Sequence, residues 1–227
     1  MSRLVITIDG PAASGKSTVA RLLAEKLNAT FLDTGAMYRA ATLAAMQAQA
    51  DLTDTSRLVE VLNNTRLEFT ATRDGMLATI AGVDVTGRIR DPQVTANARY
   101  IAGSAPVRER LVEMQRRFAA AHEKIVTEGR DQGTVAFPDA NVKFYLIATL
   151  DERARRRHAE LMAKGIKQTI EQIRLAIQQR DASDEKRFVG PLKPAEDAIV
   201  IDTTGLTIEE VVEKLVIIVK EKCSAKQ

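Results

Sequence analysis

Gly10-Pro11-Ala12-Ala13-Ser14-Gly15-Lys16-Ser17 fits the pattern G-x-x-x-x-G-K-[ST] at every fixed position. Before it lies Leu4 to Ile8, a short apolar run rich in β-branched residues that reads as a buried strand turning at Asp9-Gly10-Pro11. After it, from Ser17, Val19, Leu22, Leu23, Ala24 and Leu27 repeat at helical spacing. Glycines let such a loop curl so that its N–H groups face phosphate oxygens, and the helix N-terminus adds partial positive charge. Lys16 is then placed to reach β- and γ-phosphates, and the Ser17 hydroxyl to ligate Mg²⁺. The expected ATP-binding set is Gly10, Pro11, Ala12, Ala13, Ser14, Gly15, Lys16, Ser17 and Thr18. The alternative is a glycine-rich turn that only links strand to helix. Agreement of strand, loop and helix favours phosphate binding.

Working outward, strand-like and helical stretches alternate. Thr30 to Leu32 reads as a strand ending at Asp33-Thr34-Gly35, followed by a helix from about Met37 to Gln49. Val107 to Ala121 is helical, with Val107, Leu111, Met114 and Phe118 on one stripe. Ile125 to Thr127 and Val142 to Ala148 are β-rich; Asp151 to Lys164 and Thr169 to Arg180 are helical. Ala198 to Ile201 is a last strand, and Thr207 with Glu210 makes a capping box for a final helix with core face Ile208, Val211, Leu215 and Ile218. This alternation is that of an α/β protein with a parallel sheet flanked by helices. Leu67 to Arg90 differs: short alternating runs, separated by Asp74-Gly75 and Ala81-Gly82, indicate a small antiparallel insert.

The chain's 227 residues can bury a full core without disulfides. With 45% apolar and 28% charged residues the composition is globular, which excludes disorder, collagen and a membrane bundle. A net charge of +3 suits an anionic small substrate better than a long polyanion, and the absence of tryptophan leaves few rings for stacking bases. Nucleic acid is therefore not expected as a partner. No run approaches the roughly 18 apolar residues of a membrane span, and the single cysteine, Cys223, fits a reducing compartment. A cytoplasmic enzyme is expected.

A GTPase base-reading motif is missing, and Val142 to Ala148, ending in Thr149-Leu150-Asp151, is a poor Walker B strand. Instead arginines cluster near turns, as phosphoryl transfer between two anions requires. Several longer motifs sharpen this: Ile6-Thr7-Ile8-Asp9-Gly10-Pro11, Asp33-Thr34-Gly35-Ala36-Met37-Tyr38-Arg39, Pro106-Val107-Arg108, Glu128-Gly129-Arg130-Asp131-Gln132-Gly133-Thr134-Val135 with Phe137-Pro138-Asp139-Ala140, Glu152-Arg153-Ala154, and the stretch from Arg180-Asp181 to Pro191-Leu192. In this order, and over nearly the whole chain, they resemble the bacterial cytidylate kinases, P-loop nucleoside-monophosphate kinases.

The resemblance implies a five-stranded parallel sheet flanked by helices, a β-rich acceptor-domain insert and a helical lid. It implies a core of 1–36, 105–150 and 188–227, an acceptor-binding region of 37–104 with its insert at about 67–90, and a lid region of 151–187. It also implies Mg²⁺ with ATP as donor, CMP or dCMP as acceptor, and a monomer. Thr34, Tyr38, Arg39, Arg108, Arg130, Asp131, Arg180, Asp184 and Arg187 would bind the acceptor; Lys16, Arg130, Arg153 and Arg157 would serve transfer, with Arg157 also on ATP. Arg153, Arg156 and Arg157 share an arc of roughly 100° on their helix. Cytosine's amino group suits a carboxylate acceptor, so Asp131 with Arg108 would prefer CMP over UMP. Where the family often has serine, about nine residues before Arg108, this chain has Arg99, which leaves base and deoxysugar preference open. Other readings remain: a broader UMP/CMP or shikimate-type kinase, an ATP-dependent RNA-binding regulator, or a non-catalytic relative.

Overall fold

The computed structural model describes residues 3–72, 75–163 and 165–224. Two compact units divide the chain: one joins Leu4–Ala29 to everything from Val126 onward, and the other is Thr30–Ile125.

The first unit starts with β1 (Leu4–Asp9), whose last four residues are buried, and the loop that leads into α1 (Lys16–Lys26). Ile6 and Ile8 are fully buried on one face of β1, while Val19, Ala20, Leu23 and Ala24 form the inward stripe of α1. Truncating a residue such as Leu23 to alanine would cost about 2–5 kcal/mol. After β6 (Lys124–Gly129) comes a π turn, Gln132–Ala136, then β7 (Val142–Ile147), α6 (Leu150–Ala163), α7 (Ile170–Glu185), β8 (Ile199–Asp202) and α8 (Ile208–Ser224). β1 runs parallel to β7 with Ile6 opposite Val142 and Asp9 opposite Tyr145; β7 runs parallel to β8 with Phe144 opposite Ile199. The sheet has five strands in the order β2-β6-β1-β7-β8, β2 being Thr30–Asp33. This is the parallel, helix-flanked architecture that the alternating pattern predicts.

The capping box at Thr207 is present: its N–H donates to Glu210 Oε2 at 2.8 Å, and the Glu210 N–H to Thr207 Oγ1 at 3.2 Å. The core face of α8 keeps Val211 and Leu215 from the expectation, but Ile208 and Ile218 are only half-buried, and Val212 and Val219 are buried instead. The 211-215-219 spacing of four keeps all three on one stripe. A second capping box, Thr169 with Gln172, opens α7.

The other unit contains α2 (Thr34–Gln47), α3 (Thr55–Asn64), a three-stranded sheet of β3 (Leu67–Thr72), β4 (Gly75–Ile80) and β5 (Val83–Asp84), a 3-10 turn at Arg88–Arg90, α4 (Pro92–Gly103) and α5 (Ala105–Ala120). The insert is antiparallel as expected, in the order β3-β4-β5, with Leu67 opposite Ile80 and Thr72 opposite Gly75. β4 alternates strictly, burying Met76, Ala78 and Ile80. Ala81 and Gly82 both have positive φ, +50° and +81°, which is what a two-residue primed hairpin turn demands. The Asp74 half of the other turn signal, Lys164 at the end of the basic helix and the Lys226-Gln227 tail lie outside the described residues.

Two helices stand outside the expected helical stretches, although Leu58, Val61 and Leu62 of α3 follow the i, i+3, i+4 spacing. α4 buries only Val94 and Ile101, and α3 only Leu58, Val61 and Leu62. Their start signals are local: Asp54 caps α3 by accepting from the Arg57 N–H, and Pro92 stands at the first turn of α4.

Candidate active site

The loop between β1 and α1 bends sharply at its first glycine. Gly10 has φ +150°, and a Cβ there would lie 2.2 Å from the Leu146 carbonyl oxygen, so only glycine fits. Lys16 is 4% exposed, and its Nζ donates to the Pro11 carbonyl at 2.5 Å and to Ser14 Oγ at 3.1 Å. Burial, then the Arg130 charge, pulls the Lys16 amine well below its ordinary range, against the pull of Glu128 and Asp9. An anion of several charges placed beside it would oppose that shift by favouring the charged amine. Ser17 and Thr18, at the start of α1, are exposed.

One residue of this site escapes the motif reading. Glu128, the fifth residue of β6, is 5% exposed and accepts from Ser17 Oγ at 3.0 Å. A hydroxyl and a carboxylate in contact are hard oxygen donors, and Mg²⁺ typically takes one or two protein carboxylates with substrate phosphates completing its shell. The pair therefore fits the expected ion. Glu128 belongs to a motif quoted above, yet only the contact with a residue 111 positions away reveals its place.

Immediately after β6, Arg130 Nε donates to Asp184 Oδ2 at 2.8 Å, and Arg187 stands 3.7 Å from Asp184 Oδ1. Burial would raise the Asp184 carboxyl, but Arg130, Arg187 and Arg180 outweigh it and hold it below the usual range. Arg130 is likewise held above its ordinary value, because Asp184 and Glu128 outweigh its burial. So Arg130, Asp184 and Arg187 form one ionic cluster, with exposed Arg180 close enough to act on it. Asp131 is 4% exposed and opens the π turn; its carbonyl accepts from Val135 N–H at 2.9 Å and Ala136 N–H at 3.2 Å. Asp9, the last residue of β1, fixes the start of that turn by accepting from the Gln132 and Gly133 N–H groups at 2.9 and 2.8 Å. Burial pushes the Asp9 carboxyl up to about 6 despite both bonds.

In the Thr30–Ile125 unit, the β2–α2 turn gathers Thr34, Tyr38 and Arg39. Asp33 caps α2 by accepting from the Ala36 N–H at 2.8 Å and holds Arg39 at 3.5 Å. The Arg108 guanidinium, 2% exposed, lies 5.5 Å from the Tyr38 ring centroid, within cation–π range. Arg99 is exposed on α4 and donates to the Tyr100 hydroxyl at 3.1 Å.

On α6 the three arginines of one arc have different fates. Arg153 is 8% exposed and donates to the carbonyls of Ala148 and Ala12 at 3.1 and 3.0 Å and to Asp181. Arg156 bonds Glu152, the Ser14 carbonyl and Thr203. Arg157 is half-buried and donates to the surface Glu160 at 2.7 Å.

A family model described as Cytidylate kinase matches residues 6–221. The chain belongs to the cytidylate kinase family. It is 46% identical over 220 residues to the cytidylate kinase of Anoxybacillus flavithermus (strain DSM 21510 / WK1), covering 97% of each chain. With the cytidylate kinase of Geobacillus sp. (strain WCH70) it shares 46% identity over 217 residues and 96% of each chain. Among solved structures, an uncharacterized protein from Eubacterium ventriosum ATCC 27560 superposes with a TM-score of 0.53 at 11% identity, over 97% of this chain and 99% of that one. That likeness speaks to the fold alone. Family membership makes the chain a nucleoside-monophosphate kinase, with a nucleotide-binding P-loop at Gly10–Ser17.

Proposed function

We propose the following division of labour for the transfer of the γ-phosphoryl group of ATP to CMP or dCMP, which yields ADP and CDP or dCDP. The reading is carried by one observation: a phosphate loop with a buried lysine in a chain that the cytidylate kinase model matches over residues 6–221. The loop from Gly10 to Thr18 binds the ATP phosphates, with Lys16 leaving its Pro11 and Ser14 partners for the β- and γ-phosphate oxygens. Ser17 and Glu128 hold Mg²⁺, which when bound neutralises developing phosphate charge.

To the acceptor nucleotide we assign Thr34, Tyr38, Arg39, Arg108, Arg130, Asp131, Arg180, Asp184 and Arg187. Arg130 and Arg39 are held by carboxylates, which pre-sets their guanidinium planes before a phosphate arrives. Asp131 accepts from the cytosine amino group, where uracil would present a second acceptor and leave the carboxylate unpaired. The acceptor phosphate is already ionised, so no strong general base is required; positioning and charge neutralisation do the catalysis. Arg157, free to swing from its surface pair, reaches the donor phosphates directly, while Arg153 serves them from its place on the loop's main chain.

The domain assignment follows the family: 1–36, 105–150 and 188–227 as core, 37–104 as acceptor-binding region, 151–187 as lid. No described helix is long and apolar enough to cross a membrane. The enzyme's nucleotide substrates and single cysteine favour the cytoplasm, and the family resemblance favours a monomer. The test is ADP release from Mg-ATP with CMP, dCMP, UMP, AMP, GMP and shikimate in turn. Turnover confined to CMP and dCMP is expected. Equal use of UMP would remove the Asp131 argument, and no acceptor-dependent turnover would remove the assignment.

A further inference from the structure

Ala13 sits in the left-handed region at φ +58°, in the middle of the phosphate loop, where the family pattern allows any residue and glycine would be at ease. Left-handed backbone at a residue with a Cβ persists only where its surroundings over-determine it. Those surroundings are visible. The Ala12 N–H donates to Asp181 Oδ1 at 2.9 Å, and the Ala12 carbonyl accepts from Arg153 Nη1 at 3.0 Å. Arg153 and Asp181 are themselves ion-paired, and each is 8% exposed. On the other side of Ala13, the Ser14 carbonyl accepts from Arg156 Nη1 at 3.4 Å. Ala12 also closes the apolar cluster of Ala154, Leu161, Ile173 and Ile177 between α6 and α7, with Ala13 packed against it. Main-chain groups on both sides of Ala13 are thus tied outward to α6 and α7. Alternation of right- and left-handed residues is what turns successive N–H groups into an anion-binding concavity.

We infer that Asp181, Arg153 and Arg156 are positioning residues that hold the strained Ala12–Ala13–Ser14 backbone in its phosphate-binding shape. The inference rests on the reading of this loop as the ATP site. It assigns Asp181 and Arg156 to the donor loop, although Asp181 lies one helical turn from Asp184, which pairs with Arg130.

The test is calorimetric binding of Mg-ADP, with steady-state KM values for ATP and CMP, on wild type, Asp181→Ala, and Asp181→Ala combined with Ala13→Gly. Asp181→Ala is expected to weaken Mg-ADP binding about tenfold, or 1.4 kcal/mol, and to raise the KM for ATP while that for CMP moves less than about threefold. Ala13→Gly, which removes the left-handed strain, is expected to recover about fivefold of that loss. Should Asp181→Ala fail to fold, Asp181→Asn, which keeps an acceptor for the Ala12 N–H but loses the ion pair, takes its place with an expected loss of about threefold. Folded variants that bind Mg-ADP like wild type, or a loss that glycine at position 13 leaves untouched, would overturn the inference while sparing the ATP site. Wild-type protein that fails to bind Mg-ADP would overturn both.

Discussion

The loop Gly10–Ser17 and the hairpin Leu67–Ile80 are held by opposite means. The hairpin pairs residue by residue with its neighbour in sequence, from Leu67–Ile80 to Thr72–Gly75, and its outer positions such as Thr70 are exposed. Within itself the loop has the Lys16 bonds to the Pro11 carbonyl and Ser14 Oγ, and the rest of its support is remote. Its partners are Glu128, Arg153, Arg156 and Asp181, more than a hundred positions along the chain, and its one cation is buried. A charge taken out of water is costly unless paired, so the loop depends on each distant partner. The hairpin depends on pattern, and any residue that respects the pattern serves.

The most severe way to break this contrast is Lys16→Ala. Turnover should fall by about 10³ while the thermal melt stays cooperative, since the lysine's bonds are to its own loop; measurable wild-type rates in a folded variant would remove Lys16 from the mechanism. Next is Asp9→Asn. Asp9 has a folded-state value near 6, above the ordinary 3.8, so the native state binds the extra proton between those values. Stability therefore falls as pH rises from about 4 to 6, and at pH 7.5 the buried charge costs about 3 kcal/mol. An amide keeps one of the two acceptors and turns its N–H2 on the other N–H, so chemical denaturation should show Asp9→Asn less stable than wild type at pH 4, with the gap narrowing by up to that amount at pH 7.5; a pH-independent difference would count against it.

Glu128→Gln sharpens the comparison more gently. With a neutral oxygen facing Ser17, half-maximal activity should need 10–100-fold more Mg²⁺, read from a Mg²⁺ titration at fixed ATP. The smallest effect belongs to the hairpin. Thr70→Lys and Val83→Thr, both at exposed positions, should change stability by less than about 0.5 kcal/mol and leave the rate alone. A large loss from either would mean that the insert is not held by local pairing.

The same contrast explains what could be read in advance. The phosphate loop, the Thr207 capping box and the Ala81-Gly82 turn are legible because backbone demands choose residues within a few positions. Arg153 and Arg157 are not separable by helical period: both lie on one arc, yet Arg153 faces the loop at 8% exposure and Arg157 faces Glu160 at the surface. Which edge of an arc packs is decided by the neighbouring element. Glu128 and Asp181 could be seen as acidic residues in longer motifs, but their partners Ser17 and Ala12 are distant in sequence. Helix α4 escapes because two buried side chains cannot make a periodic signal.

The π turn at Gln132–Ala136 makes chain length itself a determinant of local geometry. Asp131 and Gln132 carbonyls each accept from a residue five positions on, one more than an α-helical turn holds. Removing a single residue between Gln132 and Ala136 would leave a well-formed α turn in its place. It would nevertheless swing Phe137 and everything beyond by roughly 100° relative to Asp131, while the Gln132 N–H bond to Asp9 that indexes the start of the turn stays in place. At this segment the count of residues is as much a constraint as the buried side chains of Gln132 and Ala136.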